Sequence, residues 1–97
     1  MKILAISHTP ENVTPAQFAP HLYSESLGVW KLMQADILRE IYFRKNRQGV
    51  ILVLECASED EARNALATLP LVKEGIITVE LIPLIPYDGL SILFGEP

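Results

Sequence analysis

The sequence is short of the residues that mark several function classes. It has a single cysteine, Cys56, so no disulfide can form within the chain. That fits a reducing compartment, and a cytoplasmic location is expected. Basic residues are outnumbered, with 8 Lys and Arg against 12 Asp and Glu, a net charge of −4. This argues against a generic nucleic-acid binder, whose affinity rests on a basic surface. Long hydrophobic runs are missing too. The longest purely aliphatic one, Val50 to Leu54, is far below the roughly 20 residues of a spanning helix, so no membrane partner is expected. The apolar start ends at Ser7, too early for a secretory core of about 7–15 residues. The five glycines are scattered and form no phosphate-cradling loop. His8, His21 and Cys56 show no close ligand spacing, so no metal site is expected.

What remains is apolar. Hydrophobic residues make up 49% of the 97, and the mean hydropathy is +0.25. The length suits one small domain spanning residues 1–97.

The pattern divides into alternating elements. Residues 2–8 read as an apolar strand and 9–14 as a loop. A helical stretch runs to Gln34. Thr14-Pro15-Ala16-Gln17 opens it, and Pro20 demands a kink or a short separate turn at 14–19. Residues 37–45 alternate as a strand, and Asn46-Arg47-Gln48-Gly49 is a hairpin-sized connection. Val50 to Cys56 is a strongly apolar strand. Ser58 with Glu61 forms a capping box for a helix that Pro70 limits. Residues 76–82 are the last strand. The order β-α-β-β-α-β is the ferredoxin-like split βαβ, an α+β fold with a four-stranded antiparallel sheet.

That fold leaves one sheet face bare, yet the strands do not alternate cleanly. Val50, Leu52 and Leu54 oppose Ile51 and Val53, and Leu4 and Ile6 oppose Ile3 and Ala5. Both faces want burial, which predicts a homodimer packed sheet to sheet as a barrel-like core, with higher homo-oligomers left open. Leu52→Glu is then expected to split the dimer if the third strand faces its partner. Residues 83–97 are too apolar for a solvated end and read as a C-terminal arm, with 90–94 as a short extra strand. The arm packs either on the partner or back on its own subunit.

Three segments carry a family resemblance. They are Val29-Trp30-Lys31-Leu32 through Ile37-Leu38-Arg39-Glu40-Ile41-Tyr42, then Ala57 to Arg63 leading into Leu69-Pro70-Leu71, and Ile77-Thr78-Val79-Glu80 leading into Pro83-Leu84. Over most of residues 20–85 the chain resembles the muconolactone isomerase-like proteins of the dimeric α/β-barrel superfamily. The resemblance implies a pocket in each subunit for a small organic acid, lactone or aromatic breakdown product. It implies proton transfer without metal or other cofactor. It also places Arg39 and Tyr42 where that family has a basic and an aromatic residue on the second strand. Because the superfamily is varied, a non-catalytic ligand-binding or regulatory dimer and a cofactor-independent monooxygenase stand as alternatives.

Proton transfer needs a group that titrates near neutrality, either a histidine or a carboxyl tuned by burial. His8 closes the first strand and is either a pocket residue or a solvated loop histidine. His21 and Glu25 share a helix face. Glu25 interrupts the series Phe18, Leu22, Val29, Leu32: inside the stripe it is a candidate base, and at its edge it is a solvated charge. On the second strand Arg39, Ile41 and Phe43 are expected to face one way, and Leu38, Glu40, Tyr42 and Arg44 the other. Glu40 and Tyr42 then line the open sheet face, as catalytic or substrate-binding groups or as interface hydrogen bonds. Arg39 is the candidate to grip a substrate carboxylate, or else makes a surface ion pair. Arg44, Lys45 and Arg47 read as a solvated turn, Tyr23 and Trp30 as core or interface aromatics, and Cys56 as a small apolar residue.

Overall fold

The structure, a computed structural model, describes residues 1–46 and 48–95. Arg47 of the hairpin and Glu96 and Pro97 of the tail lie outside the described residues. The elements are β1 (Lys2–His8), α1 (Pro15–Phe18), α2 (Leu22–Gln34), β2 (Leu38–Phe43), β3 (Val50–Glu55), α3 (Glu59–Leu66), α4 (Pro70–Lys73) and β4 (Thr78–Leu84). Short 3₁₀ turns occupy Ala19–His21 and Gly89–Phe94. Among the described residues no helix is long and apolar enough to cross a membrane.

Of the two expectations at Pro20, the short separate turn is the one observed: α1 ends at Phe18 and α2 begins at Leu22. Pro20 falls in the 3₁₀ turn between them, where a missing N–H does least harm. Half of the capping box expected for α3 forms: Glu61 N–H donates to Ser58 Oγ at 3.1 Å, while the Glu61 carboxylate accepts the Ala57 N–H at 3.4 Å and not that of Ser58. Pro70 both limits and begins. It ends the reach of α3 and stands at the start of α4, where its fixed φ suits a first turn. That short helix was not legible from spacing alone.

The sheet is antiparallel in the order β2-β3-β1-β4. One face meets the helices. Ile3, Ala5 and Ser7 of β1, Leu52 and Leu54 of β3 and Leu38 of β2 are buried there, with Leu32 of α2 and Ala62 and Leu66 of α3. Among the described residues, no element of the chain packs over the other face. Across it run Tyr42, Ile51, Ile6 and Glu80 in one row and Glu40, Val53, Leu4 and Ile82 in the next. An apolar centre with a polar rim is therefore left open.

Three expectations change. A register shift between Leu38 and Glu40 lets Leu38 share the helix face with Ile41 and Phe43 while Glu40 and Tyr42 stay opposite. Arg39 sits at that bulge and not on the helix face. Leu52 is 4% exposed and faces the helices, so Ile51 and Val53 are the open-face residues of β3. Residues 83 and 84 belong to β4, an edge strand where Pro83 is tolerated, so the tail proper starts at Ile85. Its 89–94 segment is a 3₁₀ turn, not a strand.

The tail projects. The radius of gyration is 16.0 Å, against about 12.5 Å for a compact chain of this length. Ile85, Tyr87, Leu90, Ile92, Leu93 and Phe94 are all exposed, Ile85 the most at 88%. Tyr23 and Trp30 are exposed as well and are not core residues.

Candidate functional site

Packing along α2 is uneven, and the unevenness makes the site. Its C-terminal half is seated by Leu32, which is buried. Its N-terminal half stands off the sheet and leaves a cavity of about 410 Å³. The walls are mainly apolar: Phe18 and Leu22 on the helix side, Ile41, Phe43 and Val50 on the sheet, Leu71 and Ile77 at the end. Among the described residues the polar side chains on this wall are Glu25 and the hydroxyls of Ser7, Thr9 and Ser26; Ser7 is buried, Glu25 and Thr9 are half-buried, and Ser26 is exposed.

Glu25 is turned inward by two contacts of α2 with the segment before β4. A Cβ at Gly28 would come within 2.9 Å of Leu69 Cδ2, so the missing side chain lets α2 close on Leu69. One turn earlier, the Leu71 N–H donates to Glu25 Oε1 at 2.9 Å. That N–H is one of the unsatisfied donors of the first turn of α4. Burial raises the Glu25 pKa above its ordinary value, and the Leu71 hydrogen bond and the nearby His21 oppose the shift only in part. Oε2 has no protein donor among the described residues.

Ser7 is 2% exposed. Its Oγ accepts the Val50 N–H at 2.8 Å, and its own proton has no protein acceptor among the described residues. The site is tightly built: a Cβ at Gly49 would lie 2.5 Å from the Ser7 carbonyl oxygen. Sequence reasoning passed over Ser7. The signal was a hydroxyl at the end of the inward series Ile3, Ala5, Ser7, where an apolar residue would continue the pattern.

The other candidates are dispersed. His8 lies on the open face, with Nε2 3.5 Å from Glu80 Oε1. It lines a second cavity with Thr9, Glu11, Phe18, Arg44 and Gln48. Glu40 accepts a 2.6 Å hydrogen bond from the Tyr42 hydroxyl on the open sheet face. That bond and the Glu40 charge push the Tyr42 pKa up. Arg39 is exposed, and its Nε donates to the Asp36 carbonyl at 2.9 Å. It is not among the cavity-lining residues, although Ile41, two strand residues or about 7 Å further on, is. His21 lies outside the cavity lining, just before α2, and reaches Glu25 only through charge. The Cys56 thiol is buried, and burial pushes its pKa up, the wrong direction for a nucleophile.

No protein-family model and no curated protein matches the chain. Solved structures do. A crystal structure of muconolactone isomerase superposes with a TM-score of 0.74 at 17% identity, covering 91% of this chain and 92% of that one. The 5-chloro-2-hydroxyhydroquinone dehydrochlorinase of Burkholderia phenoliruptrix AC1100, in complex with 2,5-dihydroxybenzoquinone, gives 0.61 at 13% identity, covering 90% of this chain and 97% of that one. An antibiotic biosynthesis monooxygenase gives 0.56 at 14%, covering 89% of this chain and all of the other, 100%. The chain has the ferredoxin-like α+β fold of these proteins. At such identities the likeness shows the fold alone.

Proposed function

We propose that the protein is a cofactor-free enzyme that moves a proton on a small, largely apolar organic acid or lactone, with Glu25 as the base. The observation that carries this reading is a half-buried carboxylate on the wall of an apolar cavity, held by the Leu71 N–H through one oxygen only. A carboxyl pushed upward by burial is a stronger base than a solvated one and is suited to taking a proton from carbon beside a carbonyl. In this scheme Glu25 removes that proton. The Ser7 hydroxyl donates a hydrogen bond to the enolate oxygen that forms. Protonated Glu25 then returns the proton at another carbon, so the substrate is isomerised without gain or loss of electrons.

The open sheet face supports a homodimer as the working unit, since Ile51, Val53, Leu4, Ile6 and Ile82 share it with no element among the described residues packed over them. His8–Glu80 and Tyr42–Glu40 then serve at its rim, as interface hydrogen bonds more than as catalytic groups. The apolar arm from Ile85 onward, exposed on its own subunit, packs on the partner in this reading. The lone thiol fits a cytoplasmic setting.

The test is deuterium wash-in. Small lactones, dicarboxylates and aromatic acids are first ranked by the melting temperature they induce, because a ligand that binds only the native state raises stability. Hits are then incubated with enzyme in D₂O and followed by proton NMR. Enzyme-dependent loss of an acidic C–H signal is expected, falling roughly a hundredfold or more in Glu25→Gln. Exchange that survives this substitution unchanged sinks the role of Glu25, and binding without any exchange points to a non-catalytic ligand-binding dimer.

A further inference from the structure

We infer that the second cavity is the anion subsite of the first, so that the ligand is an apolar body ending in a carboxylate that Arg44 binds. The inference rests on the reading of the first cavity as a substrate pocket. The second cavity, about 490 Å³, lies between the loop after β1 and the hairpin joining β2 to β3. Thr9 and Phe18 line both cavities, so the two adjoin across these side chains. Their chemistry differs. The first is walled mainly by aliphatic and aromatic groups, and the second by His8, Glu11, Arg44 and Gln48.

Arg44 is placed but unpaired. Its backbone N–H donates to the Gly49 carbonyl at 2.9 Å, which fixes it at the base of the hairpin. Its guanidinium makes no ion pair or hydrogen bond among the described residues. A guanidinium presents a planar fork that takes a carboxylate through two hydrogen bonds. Among the described residues Glu11 lines this cavity and Glu80 stands beside it, 3.5 Å from His8 Nε2, and both carboxylates oppose an anion there. Charge sets the orientation. A ligand carboxylate in the first cavity would face Glu25, whereas in the second it faces Arg44. A ligand lying across Phe18 with its acid in the second cavity leaves its apolar part beside Glu25 and Ser7. Arg44 thus takes the role that sequence reasoning gave to Arg39.

The experiment compares phenylbutyrate with its neutral amide, titrated into the protein by calorimetry at fixed ionic strength. The acid is expected to bind about tenfold tighter or more, the scale of one charge-assisted contact. Arg44→Gln brings the ratio to about one and leaves the amide within about twofold of its original affinity, while Glu11→Gln tightens the acid further. Equal binding of acid and amide, or a preference that persists in Arg44→Gln, overturns the subsite. Failure of both compounds to bind overturns the pocket reading and this inference with it. If Glu25 proves dispensable for proton exchange while the acid preference follows Arg44, the catalytic proposal fails and the subsite stands.

Discussion

Glu25 Oε1 accepts the Leu71 N–H across 2.9 Å, joining residues 46 apart in the chain. This bond gives Glu25 two roles that substitutions can separate. A glutamine still offers an oxygen to Leu71 but holds no titratable proton, and an alanine offers neither. Glu25→Gln is expected to fold with a melting temperature within a few degrees of the parent. Glu25→Ala leaves a half-buried N–H unpaired and costs about 1–3 kcal/mol. Thermal melts read by circular dichroism separate the two.

The same carboxyl makes stability depend on pH in a definite direction. Its folded pKa is raised, so the native state binds the proton more tightly than the unfolded chain does. The stability this group contributes is full below the unfolded carboxyl pKa, roughly 4.3. It is lost as pH climbs through the raised folded value. Glu25→Gln has no such loss, so the difference in melting temperature should move in favour of the variant as pH rises from the carboxylate range towards neutrality. Parallel melting curves for the two proteins over that window would contradict the raised pKa.

Much of this fold was legible because its signals are local and redundant. Ser58 and Glu61 frame a helix start, Pro20 forces a break, and the apolar run from Val50 can hardly be anything but a buried strand. On β2 the directions from Glu40 to Phe43 were legible, because Ile41 and Phe43 are the apolar pair, but those of Leu38 and Arg39 were not, because a bulge adds a residue and resets the alternation, and nothing in Leu38-Arg39-Glu40 announces it. The choice of face on β3 was equally hidden, since both faces of that strand are aliphatic. The site was half visible. Glu25 stood out as a charge in an apolar stripe, but its inward turn depends on Gly28 and Leu71, a long-range contact that spacing does not encode. Arg44 looked like any basic hairpin residue until the loop after β1 was placed beside it.

The Ser7 site is fixed by a close backbone approach, which predicts a strong effect from a single methyl group. In Gly49→Ala the new Cβ would meet the Ser7 carbonyl oxygen at 2.5 Å, and backbone has little room to give. The expected cost is about 1–3 kcal/mol from overpacking. At the usual scaling that is several degrees or more in melting temperature for a domain of this size. Gly75→Ala is a control of a different kind: no atom lies near its Cβ, and its cost comes only from φ of +72°. A Gly49→Ala protein as stable as the parent would show that β1 and β3 can part at Ser7.

The dimer is tested on the open face of β3. Val53 lies there between Glu40 and Leu4, so Val53→Glu places a charge at the centre of the proposed interface without entering the core. Sedimentation equilibrium is expected to give twice the chain mass of 10.8 kDa for the parent and the single-chain mass for the variant. Leu52→Glu, one residue away, buries its charge against the helices and is expected to unfold the chain outright. Removing residues 88–97 asks the related question about the arm. Its apolar groups are exposed on their own subunit, so truncation should leave an isolated chain unharmed and weaken only the assembled one. The melting temperature of the parent should therefore rise with protein concentration more steeply than that of the truncated chain. Identical concentration dependence in both would place the arm outside the interface.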